Sequence, residues 1–264
     1  MAPSKTALAR TPGVSRQSLY YKPVRPQKDA QLKEDILSVL AQHPAYGYRR
    51  ICIALAINNK RVRRGMHTYN IRPTIMRGRK KWVKNTTEIV METIPNRIKD
   101  ICPIQPDVVW VGDFTHLTFH AREIYLATVM DAYTREIIGW QIGLHHTTRL
   151  TLDVLEEAKR KRKNTPAFFH SDQGSEYTAS ESIRWLIKNE IAPSMSPKGK
   201  PWNNGKQESF YLTFKIECGV PQKLPTIEAL IEVIGKFINY YNTRRIHSKL
   251  KMPPKIFCEK MRRK

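Results

Sequence analysis

The stretch from His170 to Glu217 sets two acidic side chains into two different kinds of local structure, and that limits what the rest of the chain can be. Pro166-Ala167-Phe168-Phe169 is short, apolar and aromatic, which predicts a buried strand stopped by Gln173-Gly174. Asp172 therefore falls at a strand tip. Further on, Pro197, Gly199 and Pro201 mark a loop, Asn203 or Asn204 can cap a helix, and Glu208 falls in that helix's first turn or two. Upstream, Val108 to Thr115 reads as a strand that sets Val109, Val111, Asp113 and Thr115 on one pleat face.

Three carboxylates brought together without a cation repel one another and resist ionisation, so the natural occupant of such a pocket is a divalent metal. All-oxygen ligands suit magnesium or manganese. A pair of such ions can activate a water or a 3′-hydroxyl and stabilise the leaving oxygen in attack on a phosphodiester. Asp113, Asp172 and Glu208 are the candidate catalytic and metal-binding residues. Lys215 lies seven residues beyond Glu208, two helical turns on and on the same face, where it can hold a phosphate.

The charge balance points to the same kind of substrate. The 264 residues carry a formal net charge of +23, which favours a polyanionic partner over most small-molecule chemistries. Residues 1–100 hold 21 Lys and Arg against 6 Asp and Glu, so the front of the chain is the more basic part. No apolar run is long enough to span a membrane, and Lys5, Arg10 and Pro12 break up any secretory core, so a cytoplasmic protein is expected. Cys52, Cys102, Cys218 and Cys258 have no paired spacing and are expected as free buried thiols, with no zinc site.

Within the basic front, residues 1–70 read as a helical DNA-binding domain. A short helix capped at Ser15 is followed by one from about Lys28 to Gln42, with Leu32, Ile36, Val39 and Leu40 on one side. A second starts at Tyr46 and runs to about Ile57, and Asn58-Asn59 turns the chain into Lys60 to Met66. Two short helices with an arginine-loaded second member fit a helix-turn-helix, making Lys60, Arg61, Arg63 and Arg64 candidate DNA contacts. Residues 71–106, with four prolines and the cluster around Arg79, Lys80 and Lys81, read as a basic linker that tracks a phosphate backbone.

The core, 107–220, continues with a hairpin of Glu123 to Met130 and Glu136 to Leu144. Next come a helix from Thr148 to about Lys161, the Asp172 strand, a helix from Ser180 to Glu190, a short strand near Ile191 to Met195, and the Glu208 helix. Asp131, at the hairpin bend, is expected to cap a turn rather than join the acids, and His170 is expected to be neutral and bonded to the backbone. Residues 221–264 form a C-terminal helix and a basic tail packed on the core, in which Arg244 and Arg245 are candidate DNA contacts.

The motifs WVGDFT from Trp110, HSDQGSEY from His170 and SPKGKPWNNGKQESF from Ser196 together resemble the catalytic core of DDE-type insertion-sequence transposases. The resemblance is to the OrfB protein of the insertion-sequence-three family, a relative of retroviral integrases. YGYRRI followed by NNKRVRRGM is similar to that family's helical N-terminal domain. The likeness runs from about residue 13 to 257, with one departure: Asn203-Asn204-Gly205 stands where the family usually has Asp-Asn-Ala. It implies an α/β, RNase H-like catalytic core in which Asp113, Asp172 and Glu208 hold two Mg2+ (or Mn2+) ions. The implied activity is strand cleavage and strand transfer at element ends. The implied partners are double-stranded DNA, further copies of the chain, and an upstream-frame protein or a frameshift fusion with it. Two other readings stay open on the residues alone: an inactive DNA-binding regulator derived from a transposon, and an RNase H-like nuclease.

Overall fold

The computed structural model describes residues 25–75, 94–162, 164–196, 205–218 and 224–263. The expected short helix at Ser15, the cluster at Arg79, Lys80 and Lys81, and the loop through Asn203-Asn204 lie outside the described residues. The chain divides into two compact units, one ending at Thr74 and one beginning at Ile75.

The first unit is built from α1 (Arg25–Gln42), α2 (Tyr48–Leu55) and α3 (Asn59–Thr68). Leu32, Ile36 and Leu40, spaced for one face of α1, are buried together with Ile51 and Val62. Asn58 caps α3 by accepting a hydrogen bond from the Lys60 backbone N–H at 2.8 Å. At Gly65 an added Cβ would stand 2.9 Å from a Leu32 methyl, so the missing side chain is what lets α1 lie this close to α3.

The second unit holds one five-stranded sheet ordered β3-β2-β1-β4-β5. β1 (Val109–Phe119), β2 (Arg122–Asp131) and β3 (Ile137–Gly143) form the expected antiparallel meander, while β4 (Phe168–Ser171) and β5 (Ala192–Met195) run parallel to β1. Parallel neighbours need crossovers, supplied by α4 (Thr148–Lys161) before β4, and by α5 (Ser175–Thr178) and α6 (Ser180–Lys188) before β5. Then follow α7 (Gly205–Glu217), α8 (Ile227–Thr243) and α9 (Pro254–Arg262).

Strand alternation sorts the core into two apolar layers. On one face, Trp110, Ala127, Val129 and Phe169 pack with Leu150, Val154 and Leu155 of α4 and Leu186 of α6. On the other, Val109, Val111, Leu117 and Leu126 pack with Phe210 and Phe214 of α7 and with Leu230, Ile234, Phe237 and Tyr241 of α8. The C-terminal helix expected to pack on the core shares one apolar cluster with the strands.

Two further features depart from the expected layout. Ile98 and Ile101 pack on the α7-side cluster and Ile94 on the other, while Arg97 N–H donates to Ser194 Oγ at 2.9 Å. The last part of the expected linker is therefore packed into the second unit. The tail also ends in a helix, α9, which sequence patterning did not show. Arg262 of α9 pairs with Asp107, and Arg162 pairs with Glu136 at 2.6 Å and with Asp107 at 3.4 Å. Asp131 is fully buried and accepts backbone N–H bonds from Asp107, Tyr133 and Thr134, the turn-capping role expected of it. All four cysteines are free, though Cys102 is exposed and only Cys52 and Cys258 are buried.

Candidate active site

β1 and β4 lie side by side with Val111 opposite His170, and two residues further along each strand direction come Asp113 and Asp172. Parallel pairing therefore delivers the first two acids to the same level of the sheet. Asp113 sits on the pleat face with Val109 and Val111, under α7, and is half-buried. Its Oδ1 accepts a hydrogen bond from Phe114 N–H at 2.8 Å. Asp172 follows β4 directly, is exposed, and its Oδ1 accepts from Gly174 N–H at 3.0 Å in an Asx-type turn. Glu208 is exposed in the first turn of α7.

The electrostatics of Asp113 report how near the others are. Burial pushes its carboxyl up to about 7 against the Phe114 hydrogen bond, and the charges of Asp172, Glu208 and Glu176 push the same way. The charges of Asp172 and Glu208, the other two acids singled out from sequence, both reach Asp113. Among the described residues, no three His, Cys, Asp or Glu side chains stand close enough together to grip a metal ion as drawn. The acids are neighbours rather than a closed cage.

Glu176 is a fourth acid that the sequence reading did not single out. Its side chain is 3% exposed and lies 3.2 Å from His146 Nε2. Burial raises its pKa first, Asp172 adds to the rise, and His146 opposes it. His146 in turn packs edge-on to Phe114, at 4.1 Å between ring centroids, and stacks on Tyr125 at 5.4 Å. At Gly174 a Cβ would come 2.0 Å from Glu176 Oε1, so that glycine makes the room the glutamate occupies. The available signal was position: Glu176 comes four residues after Asp172, on the single helical turn that follows the strand tip.

His170 is fully buried, its Nδ1 3.0 Å from Ser194 Oγ and its Nε2 2.8 Å from Ser196 Oγ. Burial, with Lys206 adding to it, pushes its pKa down to about 4, so it is neutral as expected, but hydroxyls rather than backbone hold it.

Lys60, Arg63 and Arg64 are exposed on α3 and Arg61 is half-buried. Together with Tyr48, Met66 and His67, the first three line an open cleft of 500 Å³. Arg49 and Arg63 both lie over the Tyr48 ring, at 5.7 and 5.4 Å, and Arg64 is paired with Asp29 at 2.9 Å. Lys215 and Arg244 are exposed. Arg245 departs from expectation. Its side chain is 2% exposed and makes two bonds of 2.6 Å to the Glu217 carboxylate, so it joins α7 to the end of α8 and is not presented to DNA.

A mixed sheet of this order, with carboxylates on adjacent parallel strands and on the helix that covers them, defines an integrase-type core. Residues 103–201 match the family model of the integrase core domain, and residues 189–254 match a second model of that description. The chain is 31% identical over 255 residues to the putative transposase InsK of insertion sequence element IS150 from Escherichia coli (strain K12), covering 92% of this chain and 89% of the relative. It is 32% identical over 242 residues to the transposase of insertion sequence element IS904 from Lactococcus lactis subsp. lactis (strain IL1403), covering 88% and 95% respectively. A chain in the structure of a simian T-cell lymphotropic virus intasome in complex with PP2A regulatory subunit B56 gamma shares the fold, with a TM-score of 0.50 at 17% identity over 66% of this chain and 61% of that one. The chain belongs to the insertion-sequence transposases that carry an integrase core. The readings as an inactive regulator or an RNase H-like nuclease are not favoured by these relatives. No described helix is long and apolar enough to cross a membrane.

Proposed function

We propose that this transposase cleaves and rejoins DNA strands at the ends of an insertion sequence, with Asp113, Asp172 and Glu208 as its catalytic acids. The observation that carries the reading is the placement of Asp113 and Asp172 at one level of adjacent parallel strands, with Glu208 in the first turn of the helix that packs over β1. The donor set is all oxygen and acid-rich, which fits Mg2+ or Mn2+ and gives softer metals no nitrogen or sulfur ligand. Two such ions, when bound, supply an activated attacking oxygen and charge stabilisation at the leaving oxygen. The protein's own part is to hold Asp113 on the rigid middle of a sheet, Asp172 on the adjacent strand end and Glu208 on the covering helix. Glu176 and His146 back the pocket from the α4 side, where the buried glutamate raises the local negative potential. DNA of the element ends would be drawn to the chain by its net charge of +23.

Contact with DNA is assigned to Lys60, Arg61, Arg63 and Arg64 of α3, to the exposed Lys215 and Arg244, and to Arg79, Lys80 and Lys81 in the basic stretch that follows Thr74 in sequence. Duplex DNA of the element ends and target, several copies of this chain, and an upstream-frame protein or fusion are the proposed partners. Incubating the chain with its flanking element ends and Mg2+, and mapping products at nucleotide resolution, tests the reading. Magnesium-dependent nicks at the element boundary and joined ends are expected from the parent. Asp113→Asn should bind the same DNA and make neither product. Equal cleavage of unrelated duplex, or of RNA-DNA hybrid in preference, would refute it.

A further inference from the structure

The inner face of α7 carries Gln207, Phe210, Tyr211 and Phe214, spaced i, i+3, i+4 and i+7, and all four are buried. Two of them are polar, which is expensive under a sheet unless each polar atom finds a partner. They do. Gln207 Nε2 donates to the backbone carbonyls of Val111 on β1, at 2.8 Å, and Thr128 on β2, at 3.2 Å. Tyr211 Oη donates to the carbonyl of Asp113 itself at 2.5 Å. Thr128 Oγ1 closes the set, 2.7 Å from Tyr211 Oη and 3.3 Å from Gln207 Oε1.

Phe210 and Phe214 would fasten α7 to the sheet without fixing its rotation, because apolar contact is not directional. Hydrogen bonds are directional and weaken steeply when misaligned. The two bonding side chains sit one turn apart, so together they fix both the rotation of α7 and its height on the sheet. Glu208 is the next residue after Gln207, about 100° round the helix at 3.6 residues per turn. Its direction relative to Asp113 follows from those bonds. Like charges on Asp113 and Glu208 push α7 away from β1 in the absence of a cation, and the clamp acts against that push.

We infer that Gln207, Tyr211 and Thr128 are positioning residues of the active site, fixing the rotation and height of α7 on the sheet and so the direction of Glu208 relative to Asp113. This inference rests on the reading of Asp113, Asp172 and Glu208 as the metal-binding set. The test uses the full chain as the parent, with Gln207→Leu, Tyr211→Phe and Asp113→Asn. Mn2+ binding is followed by the paramagnetic resonance signal of the free ion, and metal-free backbone hydrogen exchange is measured segment by segment. Loss of a side chain that orients a metal ligand typically weakens the metal by about 10- to 100-fold. Gln207→Leu and Tyr211→Phe are each expected to weaken Mn2+ binding within that range and to speed exchange of α7 amides, leaving β1 and β4 amides protected. Tyr211→Phe keeps the ring that packs on Phe210, so it reports the hydroxyl even if Gln207→Leu folds poorly. Unchanged α7 exchange in both variants would overturn the clamp, and faster exchange with parental Mn2+ affinity would overturn its role in positioning. Parental Mn2+ affinity in Asp113→Asn would instead sink the metal-site reading, which is a separate result.

Discussion

Replacing Asp113 by Asn is expected to stabilise the metal-free protein above neutral pH, although it destroys the proposed chemistry. In the fold the Asp113 carboxyl titrates near 7, against 3.8 for a free side chain. The folded state therefore holds a proton that the unfolded chain has already released, and the destabilisation grows as pH rises from about 4 to 7 and is complete above. At 1.36 kcal/mol per pKa unit, the gap amounts to about 4 kcal/mol in the absence of metal. Asn keeps the oxygen that accepts from Phe114 N–H and carries no charge, so it removes this cost without opening a cavity. For a unit of this size one kcal/mol moves the melting temperature by roughly 2–4 °C, so a rise of about 10 °C is expected. Urea and thermal unfolding of parent and variant in chelator, at steps between pH 4.5 and 8.5, give the comparison, because titrating groups that do not interact with Asp113 cancel in the difference. Added Mg2+ should raise the parent's melting temperature and leave the variant's unchanged. A difference that stays flat across that pH range would refute the reasoning, since the acid would then be unperturbed.

Arg245→Met should cost about 3–5 kcal/mol in urea unfolding, because it takes the guanidinium away from the buried Glu217 carboxylate, and adding Glu217→Gln should restore much of the loss. DNA affinity per folded molecule should not change in that variant, whereas an Arg245 used by DNA would lower it. Gly139→Ala would place a Cβ 2.5 Å from the Val154 carbonyl, prising α4 off β3. Overpacking of that kind typically costs about 1–3 kcal/mol, readable as a lowered urea midpoint. Lys60→Gln with Arg63→Gln should reduce the slope of log affinity against log salt by about 1.8 if both neutralise phosphates, and an unchanged slope would remove α3 from the DNA interface.

Much of this architecture could be read from the residues because period and punctuation agreed. α4 is read over Thr148–Lys161 and found there, capped by Thr147, whose hydroxyl accepts from Leu150 N–H at 3.3 Å. Aromatic and β-branched runs bounded by turns gave the meander, and the three acids followed from strand tip, pleat face and helix start. What escaped was set by tertiary contacts. α9 is short, begins at the second of two prolines, and is fastened by the pairing of Arg262 with Asp107, 155 residues away, which no local pattern reports. Arg245 sits in a run of basic residues, and only Glu217 shows that it is internal. Glu176 was not singled out because its burial depends on Gly174 and His146. Gln207 left a trace, as the polar member of an otherwise aromatic helical face, but a strand carbonyl as its partner is visible only in three dimensions.

The ionic tie between Asp107 and Arg262 joins the start of the catalytic unit to its last helix, like a clasp on a bracelet. Copies shortened at the C-terminal side therefore lose more than a tail. Removing α9 would strip Asp107 of one guanidinium and take away Cys258, the buried neighbour of Arg162, beside the strand that bears Asp113. Decay of such a gene from its 3′ side would thus be expected to loosen the fold at the opposite end of the reading frame's catalytic portion, well before any codon for an acid is lost.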